Sequence, residues 1–227
     1  MNRNCFSGAV SMGEISRSYC HCGIKVLSLA SGYPKICLCG NPSAQLNINN
    51  RIKSQVNCFI SHGESELYCE AVVGLKAACE NGYPFHSYET VLNYETAYNQ
   101  NCHLSLYRDQ YEFTGGAHGS TIRASDTWNL STGKRLCLSQ LFSCGKDYKA
   151  FLIAKIREQA DKNMEQDPSI YFEEYKTLIC DNFNENNFHL SPRGLSIYYQ
   201  QYEIAPYATG IVTFTIPYRK LGWQPSC

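Results

Sequence analysis

Apolar residues along this chain change period several times, and each change marks a predicted element. The segment SRSYCHCGIKVLSLA (16–30) is rich in apolar and β-branched residues and reads as strand, closed by a turn at Ser31-Gly32-Tyr33-Pro34. Asn41-Pro42 predicts a helix start, because Asn can cap free amides and Pro is tolerated at the first helical position. Ile48, Ile52, Val56 and Ile60, joined by Phe59, recur at helical spacing, so that helix should end near His62-Gly63. From Glu66 to Leu130 the period becomes two. Leu67, Cys69, Ala71 and Val73 would share one strand face, and Tyr88, Thr90, Leu92, Tyr94, Thr96 and Tyr98 another. Leu104 and Leu106 predict a third strand and 122–130 a fourth. Turn chemistry at Asn81-Gly82, Asn99-Gln100-Asn101, Gly115-Gly116 and Ser131-Thr132-Gly133 implies antiparallel neighbours.

Beyond that sheet, Tyr148, Leu152, Ile156 and Ala160 predict a second helix, and 169–180 a third after Asp167-Pro168. The tail returns to strands at 188–190, at Leu195, Ile197 and Tyr199, and at Val212, Phe214 and Ile216. The expectation is an α+β fold: antiparallel β-sheets with about three helices packed on them.

Charge changes this picture by exclusion. Twenty basic and twenty acidic residues cancel, and no Lys/Arg run supplies the electrostatic footprint of a nucleic-acid binder. No apolar stretch reaches the ~20 residues that span a bilayer. The start, MNRNCFSGAVSMGEISRSY, has no signal-peptide apolar core, so the chain as written reads as soluble and cytoplasmic. Thirteen cysteines are many and odd in number; in such a chain buried unpaired thiols are the plainest reading, with disulfides and a metal site as alternatives. Seventeen tyrosines add an aromatic bias.

Candidate chemistry is sparse. Cys20 and Cys22, with Cys37 and Cys39, form two Cys-x-Cys pairs whose sulfurs would lie on one strand face; paired strands could then assemble a tetrahedral zinc site. Structural zinc sites favour wider Cys-x2-4-Cys spacing, which weighs toward thiols or disulfides. His118, in GGAHG, reads as an imidazole tying down a tight turn, since no partner for base or metal chemistry is evident. YEIAPYATG (202–210) offers Tyr202, Glu203, Pro206 and Tyr207 on a loop, where tyrosines supply rigid contact area with a polar tip. The equal alternative is a packed strand crossover. No nucleophile elbow, H-E-x-x-H helix, Walker loop or dinucleotide fingerprint occurs, so neither an enzyme nor a cofactor is expected.

The phrases YEFTGGAHGS (111–120), DTWNLSTGKRLCLSQLF (126–142), YYQQYEIAPYATG (198–210) and the closing I-P-Y-x-x-L (216–221) come in a telling order. With Tyr33-Pro34 and the Asn-rich Leu46-Asn47-Ile48-Asn49, this order resembles the paired domains of RsiV-type anti-sigma factors and PdaC-type peptidoglycan deacetylases. The resemblance implies two small domains in one compact unit, 1–120 PdaC-like and 121–227 RsiV-like. It further implies noncatalytic binding of a cell-wall-associated protein such as a lysozyme, or of peptidoglycan, outside the cytoplasm. Tyr202, Glu203, Pro206, Tyr207 and His118 would make the contacts. The sigma-binding segment, the transmembrane helix and the deacetylase metal motif of those families are missing from the sequence. Two other expectations stand beside it: a Cys- and Tyr-rich structural protein of a bacterial envelope or spore coat, and a redox or zinc-dependent regulator.

Overall fold

Residues 7–142 and 147–227 are described by the computed structural model of the chain. Strand β1 (Ala9–His21) turns back at Cys22-Gly23 into β2 (Ile24–Cys37), in antiparallel register from Ala9↔Cys37 to His21↔Ile24. Positive φ at Cys22 (49°) and Gly23 (80°) gives the tight turn a twist compatible with a hairpin. The turn expected at Ser31-Gly32-Tyr33-Pro34 is therefore continuous strand. Pro34 is tolerated because it lies past the stretch of β2 paired with the next strand, which ends at Gly32.

Helix α1 (Pro42–His62) starts where predicted, with the Asn41 side chain accepting from the Ala44 amide at 3.1 Å. Ala44, Ile48, Ile52, Val56 and Phe59 form its buried stripe. The chain does not become strand at Glu66. A π-helical turn (Gly63–Leu67) passes into α2 (Tyr68–Asn81), which buries Leu67, Ala71, Leu75 and Ala78 while Cys69 and Val73 face outward. The alternation over 67–73 mixes two faces of a helix, with 67 and 71 inward and 69 and 73 outward. Glycine is required at the bend: a Cβ on Gly63 would stand 2.5 Å from Leu29 Cδ1. Asn81-Gly82, taken for a hairpin turn, is the helix end, with Gly82 in the left-handed region at φ 70°.

These helices are the crossover that lets β3 (Tyr88–Gln100) pair parallel to β2, Leu27↔Tyr88 through Gly32↔Asn93. Thr90, Leu92, Tyr94 and Tyr98 of the predicted face are buried, and Thr96 is exposed. With β4 (His103–Phe113), β5 (Ser120–Asn129) and β6 (Lys134–Arg135), the sheet has six strands in sequence order.

Helix α3 (Tyr148–Gln166) is capped by Asp147, which accepts from the Ala150 amide at 3.0 Å, and buries Leu152, Ile156 and Ala160 completely. The third predicted helix forms only at its end, as α4 (Tyr175–Asp181), because Asp167 Oδ1 takes the Ser169 amide and hydroxyl and holds the preceding stretch in turns. Strands β7 (Phe188–Ser191), β8 (Gly194–Tyr199) and β9 (Val212–Ile216) make a three-stranded antiparallel sheet, followed by α5 (Tyr218–Leu221). The architecture is α+β.

The described residues divide into two compact units, one holding 9–94 and 108–122, the other 7–8, 95–107 and 123–227. The first packs Val26 and Leu27 of β2 against Leu67, Ala71 and Leu75. The second packs the α3 stripe with Leu195, Ile197, Tyr199, Phe214 and Ile216. No described helix is long and apolar enough to cross a membrane.

Candidate functional site, an aromatic loop on a clamped base

The loop after β8 begins from a fixed point. Tyr199 is buried and donates its hydroxyl to the Ile179 carbonyl at 2.8 Å, and burial pushes that phenol's pKa well up. Gln200 then spends its side-chain amide on β5: Nε2 donates to the Arg123 carbonyl at 2.7 Å and Oε1 accepts the Arg123 amide at 2.9 Å. Such a paired amide bridge stands in for one rung of a strand ladder.

Inside the loop, the Gln200 amide donates to Glu203 Oε2 at 2.6 Å, and the Glu203 amide returns to the Gln200 carbonyl at 3.2 Å. Asn182 Nδ2 donates to the Glu203 carbonyl at 2.8 Å, the Phe172 amide to the Ile204 carbonyl at 3.0 Å, and Thr209 Oγ1 to the Ile170 carbonyl at 3.0 Å. Ile204 and Ala205 are buried beneath. Burial raises the Glu203 carboxyl above its ordinary 4.5, an effect opposed by the Gln200 amide.

What this base holds up is aromatic. Tyr202 is 54% exposed and sits at φ 65°, a left-handed backbone that β-carbon residues adopt at a cost. Its ring lies 5.9 Å from that of Tyr207, tilted by 32°. Pro206 sets the entry to a short 3-10 turn (Tyr207–Thr209), and Gly210 closes it at φ 72°. Tyr202, Glu203, Pro206 and Tyr207 thus share one loop in distinct roles. Tyr202 presents surface with half-buried Tyr207 beside it, Glu203 braces the backbone and Pro206 leads into the short turn.

The sequence did not reveal the bracing. Gln200 and Arg123 are far apart in the chain, and Arg123 in turn lies over Tyr107 at 4.0 Å and Tyr198 at 5.9 Å. No local pattern announces a strand-to-loop bridge of this kind.

His118 belongs to the other unit. It is exposed, and its Nδ1 lies 3.0 Å from the Gly119 carbonyl, a contact with its own turn. Gly115 stands at φ 83°, and a Cβ on Gly119 would fall 2.3 Å from the Tyr111 ring, which accounts for both glycines.

The proposed zinc ligands do not converge. Cys20 and Cys22 are at the turn of the β1–β2 hairpin, whereas Cys37 and Cys39 are at its open end. A strand the length of β2, about 46 Å for 14 residues at ~3.3 Å each, separates the pairs. Among the described residues no three His, Cys, Asp or Glu side chains are grouped to hold a metal. The expectation of buried thiols is also corrected. Cys20, Cys22, Cys37, Cys39, Cys58, Cys69, Cys79 and Cys137 are exposed and Cys180 half-buried, because they occupy the turns and outward helix faces that the apolar stripes leave over. Cys102 and Cys227 form a disulfide with Cα atoms 5.0 Å apart; Cys5 and Cys144 lie outside the described residues.

Comparison with known proteins fits this architecture. Residues 22–121 match the family described as Deacetylase PdaC, and residues 139–219 the family described as Protein of unknown function (DUF3298). No curated protein matches the sequence. A crystal structure of a DUF3298 family member from Bacteroides fragilis is 20% identical, with 96% of this chain and 93% of that one covered and a TM-score of 0.71. A DUF3298 family protein from Pseudomonas aeruginosa is 16% identical over 97% of this chain and 95% of its own, with a TM-score of 0.62. At such identities the likeness carries the fold alone. The chain therefore matches the PdaC family over its first part and the DUF3298 family over its second, the pair that its motifs resemble.

Proposed function

We propose that this protein is a noncatalytic recognition module for a cell-wall-associated protein of the lysozyme kind or a cell-wall glycan. The observation that carries the reading is exposed Tyr202 lying against half-buried Tyr207 on a hydrogen-bonded loop base. Rigid aromatic side chains lose little entropy on contact and dominate recognition surfaces. A tyrosine held at positive φ supports the same reading, because backbone strain persists where the surrounding structure enforces it.

Calorimetric titration with a panel of animal-type lysozymes and soluble peptidoglycan fragments tests it. A dissociation constant at or below about 1 μM is expected for one member. Alanine at Tyr202 and at Tyr207 should each weaken it by about 1 kcal/mol or more. Unchanged affinity in the double variant would move the site elsewhere, and silence across the panel would sink the reading.

The exposed cysteines favour a second reading, a structural envelope protein joined by intermolecular disulfides. It requires covalent multimers that appear under an added thiol oxidant and collapse under reductant. A monomer throughout would dismiss it.

A further inference from the structure

A helix laid on a sheet ordinarily meets it with apolar side chains, and α1 does so along Ile48, Ile52, Val56 and Phe59. One flank of the same helix does not. Arg51, Gln55 and His62 recur there at helical spacing, while Arg108, Gln110 and Glu112 alternate along one face of β4. Beside these two polar rows the structure leaves a groove of about 430 Å3. Small-molecule sites run from ~300 to ~1,000 Å3.

Contacts at one end set how helix and strand run alongside each other. His62 Nε2 lies 3.0 Å from Glu112 Oε1, and Nδ1 lies 3.1 Å from Glu66 Oε2. Gln110 Nε2 donates to the same Glu112 oxygen at 2.6 Å. Going back along β4 from Glu112, Arg108 stands about 13 Å away at ~3.3 Å per residue. Going back along α1 from His62, Arg51 stands about 16 Å away at ~1.5 Å per residue. Both guanidiniums line the groove and both also engage other groups of the chain. The groove is thus polarised along its length, with the Arg51 and Arg108 guanidiniums toward one end and, toward the other, the lining His62 imidazole, whose carboxylate partners Glu112 and Glu66 stand next to the lining rather than in it. Gln55, whose Oε1 accepts from the Tyr94 hydroxyl at 3.0 Å, lies between.

We propose that this groove binds a short extended peptide with both termini free, its carboxylate on Arg51 and Arg108 and its ammonium toward Glu112 and Glu66. Four residues in extended conformation span about 13 Å, the length available. A guanidinium fork matches a carboxylate in geometry as well as charge, which an apolar helix flank could not do. The site lies wholly in the unit that does not contain the tyrosine loop, and it does not depend on that loop's function.

Titration with tetra-alanine, its C-terminal amide and its N-acetyl form, followed by amide chemical shifts, decides it. Tetra-alanine should saturate the protein below about 1 mM, and each blocked peptide should bind at least ~10-fold more weakly. The Arg51→Gln/Arg108→Gln double variant should lose the discrimination between acid and amide. The Tyr202→Ala/Tyr207→Ala variant should keep it, which separates this site from the loop. Equal binding of all three peptides to the unaltered protein, or no saturation by tetra-alanine up to ~10 mM, overturns the proposal whether or not the arginine variant folds.

Discussion

Helices α1 and α3 both lie on β-structure, yet they close against it differently. Leu152, Ile156 and Ala160 of α3 have no exposure, and β9 meets α3 with strand residues that include Phe214 and Ile216 of the same core. Helix α1 buries an equally apolar stripe against β2 and then presents Arg51, Gln55 and His62 beside β4, where a groove remains. An apolar stripe of ~100° is enough to fix a helix on a sheet. The flanks are then available for other work: α3 spends polar flank residues on the segment around α4, with Asn163 donating to the Tyr171 hydroxyl and Asp161 accepting from Tyr175, whereas α1 turns its polar flank toward a groove.

The largest expected effect sharpens the contrast from the sealed side. Ile156→Ala removes a completely buried side chain from a packed interior, so urea denaturation should show a loss of about 2–5 kcal/mol. A loss below ~1 kcal/mol would mean that the α3 interface can collapse around the gap, and that it is no drier than the α1 flank. On the open side, Gln55→Ala removes the acceptor of the Tyr94 hydroxyl, and water can enter the groove to replace it. The cost should be about 0.5–1.5 kcal/mol by the same method. Equal costs at the two helices would break the comparison.

The smallest effect concerns the base of the tyrosine loop and reads as a pH dependence. Burial disfavours ionised Glu203, so the folded protein holds this proton to a higher pH than the unfolded chain does. The folded state therefore binds more protons in that window. Stability contributed by protonated Glu203 is present below the ordinary 4.5 and is lost as pH rises through the folded value. Glu203→Gln should flatten this part of the profile when urea midpoints are compared between about pH 4 and about pH 7. Parallel profiles for the two proteins would show that Glu203 ionises freely and that the loop base is wet.

Much of the scaffold was legible because its signals are local. The stripes 48-52-56 and 152-156-160, the Asn41-Pro42 start and the alternation along β3 and β8 each fix an element within a dozen residues, and together they give the α+β class. Where the signal was ambiguous, the reading failed. Leu67 to Val73 satisfies both periods, and Asn81-Gly82 serves a hairpin or a helix end equally well; only the packing of Leu67, Ala71 and Leu75 against β2 selects the helix. Ser31 to Pro34 looked like a turn because Gly and Pro usually make one, but pairing with 12–15 of β1 holds it extended.

The candidate sites divide along the same line. Tyr202 and Tyr207 could be named from a loop sequence, whereas the Gln200–Arg123 bridge that steadies them could not, since its partners meet only after strands fold together. Cys20, Cys22, Cys37 and Cys39 looked like one cluster in sequence, and a hairpin put them at opposite ends. Nothing local in the sequence relates Arg51 to Arg108, and folding placed both along one groove. The sequence by itself determined most of the elements and the resemblance to the family pair, because periodicity, caps and motifs act between near neighbours. The tertiary structure alone decided which polar groups meet, because hydrogen bonds and charges act over a few ångströms and residues distant in the chain come that close only in the folded state.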